Sequence, residues 1–351
     1  MTHRFAAIGH DHRHIYDLVS GLLEAGMDCA GYWPTSTDPR VLEGFRARFP
    51  HIPENANRQA MLEDPAISVI VSAAVPKERA ALAIDAMRFG KDVLVDKPGV
   101  TTEAQLADVE RMVAETGRIF SVCFSERFLT PSTEAALRLV REGKIGRVIQ
   151  TIGLGPHRLD RALRPGWFWN SDAAGGILVD IASHQIDQFI AFTGSRAPEI
   201  AASSIGAYAS RGGFDDFGEI LLRSECATGY LRVDWFTADG LPTWGDGRLL
   251  ILGTKGTIEL RKYIDVEGHP GTDHLILVNQ DGTQRLHCEG EPIGFFRAFA
   301  ADVANRTETA MAQSHVFTVC RLALEAQAQA VRVPLPRAEP VAASAPLAQV
   351  E

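Results

Sequence analysis

The sequence predicts an α/β chain in two parts, a doubly wound parallel sheet followed by a part dominated by an antiparallel sheet. Three observations predict this. From Phe5 to Cys123 short apolar runs alternate with longer amphipathic ones, the spacing of strand–helix–strand units. Beyond Ser125 the apolar runs alternate in polarity and are separated by short turns, the pattern of antiparallel pairing. The 351 residues are too many for one small core, and 46% apolar with 23% charged residues is ordinary globular composition. The expected division is residues 1–124 as the parallel-sheet unit, 125–333 as the unit built on the antiparallel sheet, and 334–351 as a flexible, Pro- and Ala-rich tail.

Taken in order, Phe5–Ile8, Cys29–Trp33, Val69–Ala73, Val93–Val95 and Ile119–Cys123 read as parallel strands. Between them Ile15–Ala25, Val41–Phe49, Arg79–Phe89 and Thr102–Thr116 read as helices, the last with Thr101 or Thr102 as N-cap. In the second part Val148–Gly153, Ile200–Tyr208, Gly218–Arg223, Thr228–Phe236, Leu249–Leu252, Thr257–Leu260, His274–Val278 and Thr283–His287 read as strands. Gly253-Thr254-Lys255-Gly256 and Asp281-Gly282 supply hairpin turns. Phe295–Ala304 and His315–Val331 return to helix, the second capped by Ser314.

A net charge of −9 argues against a nucleic-acid binder or a polybasic membrane patch. No apolar run is long enough to span a bilayer, and no signal peptide is expected. Five scattered cysteines without a C-x-x-C pair fit a reduced, cytoplasmic protein with neither a zinc site nor disulfides.

Ligands of doubly wound sheets bind at the carboxyl ends of the strands. The first such turn reads Gly9-His10-Asp11-His12-Arg13-His14. Gly9 matches the tight-turn glycine of a dinucleotide fingerprint, while Asp11 and His14 replace the other two glycines. Asp11 could cap the following helix, leaving His12, Arg13 and backbone N–H groups to meet an anion. His10, His12 and His14 could also be read as metal ligands. Alternation by two suits a strand better than a turn, so no metal is expected. After the second strand no acid stands where the ribose hydroxyls of NAD are gripped. Ser36, Thr37 and Arg40 could instead tolerate a 2′-phosphate, which leaves NAD and NADP open. Gly90-Lys91-Asp92-Val93-Leu94-Val95-Asp96-Lys97-Pro98 delivers an acid and a lysine to a strand end. Lys97 there is either a solvated turn residue or a point charge beside a reacting hydroxyl.

Gly175-Gly176-Ile177-Leu178-Val179-Asp180-Ile181-Ala182-Ser183-His184 opens a helical run in which Asp180 and His184 are four apart. On an α-helix that spacing puts both on one face, as an acid/base pair or as an ordinary surface pair. His157, Arg158, Trp167, Trp235 and Trp244 are candidate substrate contacts, aromatic faces and hydrogen-bonding groups being what a polyol needs. Arg158, Arg161 and Arg164 within seven residues hint at an anionic group on the ligand.

In combination these segments resemble the Gfo/Idh/MocA family of nicotinamide-dependent sugar and cyclitol dehydrogenases. The likeness runs from Phe5 to about Val331 and rests on six segments: Gly9, Val71-Ser72-Ala73-Ala74-Val75-Pro76, the Asp96-Lys97-Pro98 strand end, Gly143-Lys144-Ile145-Gly146-Arg147-Val148, Gly175-Gly176, and Asp180 with His184. Departures are Asp96 for Glu, Asp92 for His, Asp11 and His14 for glycines, and Lys77 and Ala80 where the family often carries asparagine and histidine. Ser125-Glu126-Arg127 stands where the family often has Asn-x-Arg near the nicotinamide.

The resemblance implies a Rossmann domain followed by an α+β domain with a large open, mostly antiparallel sheet. It implies Lys97, Asp180 and His184 as the catalytic set, with His184 favoured as acid/base because its ordinary pKa lies nearest neutrality. It implies NAD or NADP as cofactor, met by Gly9, Asp11, His12, Arg13, Ser36, Thr37, Ala73, Pro76, Asp96 and Lys97. The expected reaction is oxidation of a secondary hydroxyl of a sugar, sugar acid or cyclitol, or the reverse. Redox-assisted glycoside cleavage at the same site and a non-catalytic nicotinamide sensor are the alternatives. An open sheet face predicts a homodimer or homotetramer.

Overall fold

The computed structural model describes residues 3–210 and 213–334, so the expected tail lies outside the described residues but for Pro334. The N-terminal part is β1 (Arg4–His10), α1 (Ile15–Glu24), β2 (Asp28–Trp33), α2 (Pro39–Arg48), α3 (Arg58–Glu63), β3 (Ile67–Ala73), α4 (Pro76–Arg88), β4 (Asp92–Asp96), α5 (Glu103–Thr116) and β5 (Phe120–Cys123). Its strands form one parallel sheet in the order β2-β1-β3-β4-β5. The chain runs outward from β1 to β2 and then crosses back to β3. The crevice at the carboxyl ends of β1 and β3 is therefore a topological switch point, the place where such sheets bind ligands. β4 is buried along its whole length, as a strand covered by helices on both faces should be.

The expected strands and helices of this part are all present, with ends moved by one to three residues. Thr102 is the N-cap of α5, its side chain accepting the Gln105 N–H. Asp11 does not cap α1. The N-cap position is His14, without a side-chain bond, and the Asp11 carboxylate turns to Thr37 instead. α3 was not expected. It is six residues long, too short to show a periodic apolar stripe, and is started by Asn57 accepting the Ala60 N–H.

The second part follows as α6 (Ser125–Phe128), α7 (Pro131–Arg141), β6 (Val148–Pro156), α8 (Ser171–Ala174), a π-helical turn (Leu178–Ala182), α9 (Ser183–Thr193) and β7 (Glu199–Gly206). It continues with β8 (Phe217–Arg223), β9 (Thr228–Asp234), β10 (Arg248–Gly253), β11 (Gly256–Arg261), β12 (His274–Asn279), β13 (Gly282–His287), α10 (Phe295–Asn305), α11 (Gln313–Gln329) and β14 (Val331–Arg332). Its nine strands form one sheet in the order β13-β12-β11-β10-β6-β9-β8-β7-β14, antiparallel except at β6/β9 and β7/β14. Both expected hairpins close as read, Gly253 pairing with Gly256 and Asn279 with Gly282. α11 begins at Gln313, before Ser314. Its N-cap is Ala312, and the exposed first N–H is met by Glu308.

One face of this sheet carries α9 and the π-turn. The helix lies in a trough of strand glycines. A Cβ on Gly153 would stand 2.5 Å from Gln185, one on Gly218 2.5 Å from Leu178, and one on Gly229 2.7 Å from Phe189. Glycine within a strand marks close approach of this kind. The opposite face alternates outward: Leu249 and Ile251 are buried while Leu250 and Leu252 on β10 are about 40% exposed, as are Leu221 on β8 and Val278 on β12. α11 packs against the π-turn and α9, so the helix carrying the acid/base residues is held between the sheet and the last helix.

Candidate active site

Three segments far apart in sequence meet at the crevice: the β1–α1 turn, the end of β4, and the π-turn leading into α9. Gly175 (φ +93°) and Gly176 (φ +87°) are both left-handed, which only glycine adopts without strain. A Cβ on Gly176 would collide with the side chain of Gln327, whose Oε1 accepts the Leu178 N–H at 3.0 Å. Beyond these glycines the run is π-helical over Leu178–Ala182 before it becomes α9.

That π-turn changes the expected pairing. Asp180 does not bond His184. Its Oδ1 accepts from Lys97 Nζ at 2.9 Å, joining the β4 end to the helix across 83 residues of sequence. Burial alone would raise the Asp180 pKa, but the Lys97 ammonium outweighs it and holds the carboxyl below its usual value. His184 lies beside this pair, buried, with Nδ1 enclosed and without a partner among the described residues. Burial pushes its pKa down to about 3, with the charge of Glu126 opposing. Burial thus keeps the imidazole neutral at pH 7 and disfavours its protonated form.

Behind His184 sits an ion network that the sequence did not reveal. Glu126 Oε2 accepts from Gln185 Nε2 at 2.7 Å and from Lys262 Nζ at 2.8 Å, and Lys262 also donates to Gln188 Oε1 at 2.7 Å. Nearby charges, Lys262 first, overcome burial and lower the Glu126 pKa to about 2. A fixed anion here favours a proton on His184 whenever one arrives. The neighbouring Arg127 faces elsewhere. It is bound at 2.6–2.7 Å to Asp187, which also holds His315.

The fully buried Arg79 fixes the lysine-bearing turn. Its Nε donates to Ala74 O at 2.7 Å, its Nη1 to the carbonyls of Asp96, Lys97 and Pro98, and its Nη2 to Asp96 Oδ2 at 3.1 Å. Asp96 itself is 1% exposed and also accepts from His12 Nδ1 at 2.9 Å and His14 Nδ1 at 2.8 Å. Its carboxylate is taken up by these partners.

The crevice at β1/β3 suits a dinucleotide in part. Gly9 is left-handed (φ +90°), and a Cβ there would stand 2.6 Å from Ala74, so the tight turn is preserved. The Arg13 and His14 N–H groups at the head of α1 have no acceptor among the described residues and could meet an anion. The Asp11 and His12 amides are both spent on Ala73 O. Ser36 donates to the carbonyls of His10 and Asp38, Thr37 to Asp11, and Arg40 to Asp38, so all three side chains already have protein partners. His10 does not join the turn. It points into the core between Tyr32 and Phe45. Pro76 starts α4 from a buried position at the end of β3.

On the substrate side a cavity of about 270 Å³ opens over Asp180, walled by Phe168, Trp169, Phe214 and Trp235. Of the expected contacts, Trp235 lines it. Trp167 does not, and its neighbours Phe168 and Trp169 take that role. His157 stands behind Trp235, held by Gly155 O and packed on Trp244, its pKa lowered by burial to about 4. Arg158 is spent as a strap on the carbonyls of Ala238, Asp239 and Leu241. Arg164 lies 4.7 Å over both Phe168 and Trp235, and Arg161 lies 4.6 Å over Trp169.

A doubly wound domain with its switch-point crevice facing a Lys–Asp pair and a histidine defines a dinucleotide-dependent oxidoreductase class. The chain belongs to the Gfo/Idh/MocA oxidoreductase family. The profile of the family's NAD-binding Rossmann fold matches residues 35–124, and that of its C-terminal domain matches residues 133–259. The first match begins beyond the altered β1–α1 turn. A crystal structure of an oxidoreductase with no named substrate, from Erwinia carotovora atroseptica SCRI1043, is 44% identical. The match covers 95% of this chain and all of that one, with a TM-score of 0.91. Levoglucosan dehydrogenase in complex with NADH and levoglucosan shares the fold at 19% identity and a TM-score of 0.74, covering 93% of this chain and 98% of that one. Among curated relatives, scyllo-inositol 2-dehydrogenase (NAD(+)) of Bacillus subtilis is 26% identical over 56% of each chain. The 1-carboxy-3-chloro-3,4-dihydroxycyclohexa-1,5-diene dehydrogenase of Comamonas testosteroni is 28% identical over 44% of this chain and 38% of its own. These alignments span from about a third to about half of those curated relatives' lengths. No helix among the described residues is long and apolar enough to cross a membrane.

Proposed function

We propose that the protein is an NAD(P)-dependent dehydrogenase acting on a secondary hydroxyl of a sugar, sugar acid or cyclitol. The observation that carries this reading is the 2.9 Å Lys97–Asp180 pair, with Asp180 lining an aromatic cavity and a neutral, buried His184 close by. The bound nicotinamide supplies the hydride acceptor. Lys97, oriented by Asp180, stabilises negative charge developing on the hydroxyl oxygen. His184 takes the hydroxyl proton, and the Glu126 anion behind it stabilises the imidazolium. Phe168, Trp169 and Trp235 stack on the C–H faces of the ring. Arg164, above Trp235, binds Leu159 O and Arg158 O through Nε and Nη2, and its Nη1 is the donor that would meet an acidic substituent.

This reading takes 1–124 as the cofactor unit and 125–333 as the substrate unit. The exposed Leu221, Leu250, Leu252 and Val278 face supports a homodimer or homotetramer. Light scattering at micromolar concentration tests this, and a monomer mass overturns it. Function is tested by thermal stabilisation with NAD⁺ and NADP⁺, alone and with neutral and acidic sugars, together with reduction of the cofactor. Stabilisation and reduced cofactor with at least one polyol are expected. Tight cofactor binding with no turnover on any of them would instead favour a sensor, and released sugar without net reduction would favour glycoside cleavage.

A further inference from the structure

We propose that His12, His14 and Asp96 form a binding site for one divalent transition-metal ion of the zinc or ferrous class, at the rim of the crevice beside Lys97. Three donors from separate segments converge here. His12 Nδ1 stands 2.9 Å from Asp96 Oδ2, and His14 Nδ1 stands 2.8 Å from Asp96 Oδ1. The ligand atoms of all three side chains lie within 4.8 Å of one another. An ion bound at about 2.1 Å by nitrogen and oxygen sets adjacent ligand atoms about 3.0 Å apart at right angles and about 3.4 Å apart in a tetrahedron, so outward shifts of about half an ångström or less admit it.

The local backbone makes this possible where strand geometry would not. β1 ends at His10, and residues 11–14 form a bend and turn. The turn brings the His12 and His14 rings to a centroid separation of 4.2 Å at 76°, both presenting the same nitrogen to one carboxylate. His10, the third member of the alternating set, is buried in the core and takes no part.

The surroundings are those of a built site. Arg79 donates to Asp96 Oδ2 and to the carbonyls around it, which fixes the carboxylate from behind as outer-shell partners of metal ligands do. The ligand set is closed at the back and open in front: Asp96 is 1% exposed, and the histidine side chains are 28% and 31% exposed. Three protein ligands with an open side are the arrangement of a site that takes a further ligand. Two imidazoles and one carboxylate favour zinc, iron, cobalt or nickel over magnesium or calcium, and the Arg79 charge on Asp96 weakens the site further for hard cations. An ion here would also bring positive charge to a turn whose Asp11 and His12 amides are spent on Ala73.

The alternative is a metal-free cluster in which both imidazoles donate Nδ1–H to Asp96. The two are separated by titrating the tag-free, EDTA-treated full chain with Co²⁺, followed by visible absorbance and calorimetry, with circular dichroism to confirm folding. Expected are one ion per chain, a visible d–d band that Zn²⁺ displaces, and loss of both in His12→Ala and in His14→Ala. These side chains are partly exposed, and circular dichroism checks that each variant is folded before it is scored. His269→Ala, at the surface Asp265/Glu267/His269 group, serves as control and should bind as wild type. No saturable binding to the folded wild type overturns the proposal, as does binding that survives both histidine substitutions or is lost in His269→Ala. The readout needs neither cofactor nor substrate, so its failure is separate from failure of the dehydrogenase reading.

Discussion

Replacing Arg79 with Met removes one guanidinium from the interior and leaves its partners in place. Four backbone carbonyls lose a charged donor, and Asp96, buried with it, loses its cation. A hydrogen bond to a charged group contributes about 1.5–3 kcal/mol. Three of these share one nitrogen, so they count as little more than one. Breaking a buried ion pair from one side costs about 3–5 kcal/mol, because the remaining charge stays buried. Asp96 keeps two histidine donors, which limits the loss, and about 3–5 kcal/mol is the expected destabilisation at neutral pH.

The pH dependence gives a second handle. Burial by itself raises the Asp96 pKa, but His14, Arg79 and His12 together outweigh it and hold the carboxyl well below the usual range. A depressed carboxyl contributes stability that is complete above its unfolded pKa of about 4 and is lost as pH falls through its folded value. Without Arg79 the Asp96 pKa rises, so the variant loses this contribution at a higher pH than the wild type. The gap between the two proteins should be widest above about pH 5 and narrow toward strong acid, where only the carbonyl part remains. Urea unfolding followed by tryptophan fluorescence from pH 3 to 8 measures it. A variant within about 1 kcal/mol of wild type at pH 7, or a gap that does not change with pH, refutes the reasoning.

Four further outcomes follow from the same structure. His184→Gln should lower turnover by about 10²–10⁴ with dinucleotide affinity kept, measured by steady-state rates and calorimetry. In the wild type the acid limb of kcat/KM should lie below about pH 5, because the free enzyme holds His184 near 3 and His157 near 4. His10→Phe should reduce acid sensitivity. His10 is fully enclosed with both ring nitrogens unpartnered, and burial first, then Arg46, lowers its pKa to about 4. The wild type therefore loses about 3 kcal/mol as pH falls from about 6.5 to 4, a loss the variant lacks in urea midpoints at those two values. Gly9→Ala should destabilise by about 1–3 kcal/mol and weaken dinucleotide binding, through strain at φ +90° and contact with Ala74, read by thermal midpoint and fluorescence titration.

The fold was largely legible because its signals are local. Apolar runs such as Val69–Ala73 and Val93–Val95, separated by helices of ordinary length, carry the parallel sheet without outside help. The hairpin at Asp281-Gly282 is specified by its own turn residues. α3 and the start of α11 were less legible because their ends are set by single caps, Asn57 and Glu308, and not by an extended pattern.

The site was legible in its residue types and not in their pairings, for a physical reason. Asp180 and His184 fit an α-helical face only if the helix is α from its start. The left-handed Gly175-Gly176 pair and the Gln327 side chain impose a π-turn there, and Gln327 lies 149 residues away from the N–H it accepts. Asp180 pairs with Lys97, and His184 is governed by its burial, by Glu126 and by Lys97. Arg79 was illegible for a related reason: in sequence it is one more polar residue in the first turn of an amphipathic helix, and only the return of β4 beneath it supplies the carbonyls it binds. The alternation His10, His12, His14 reads as a strand motif until β1 is seen to stop at His10. Past that point spacing by two no longer sends side chains to one face by strand geometry. The turn itself decides which histidines meet Asp96, and it selects the last two.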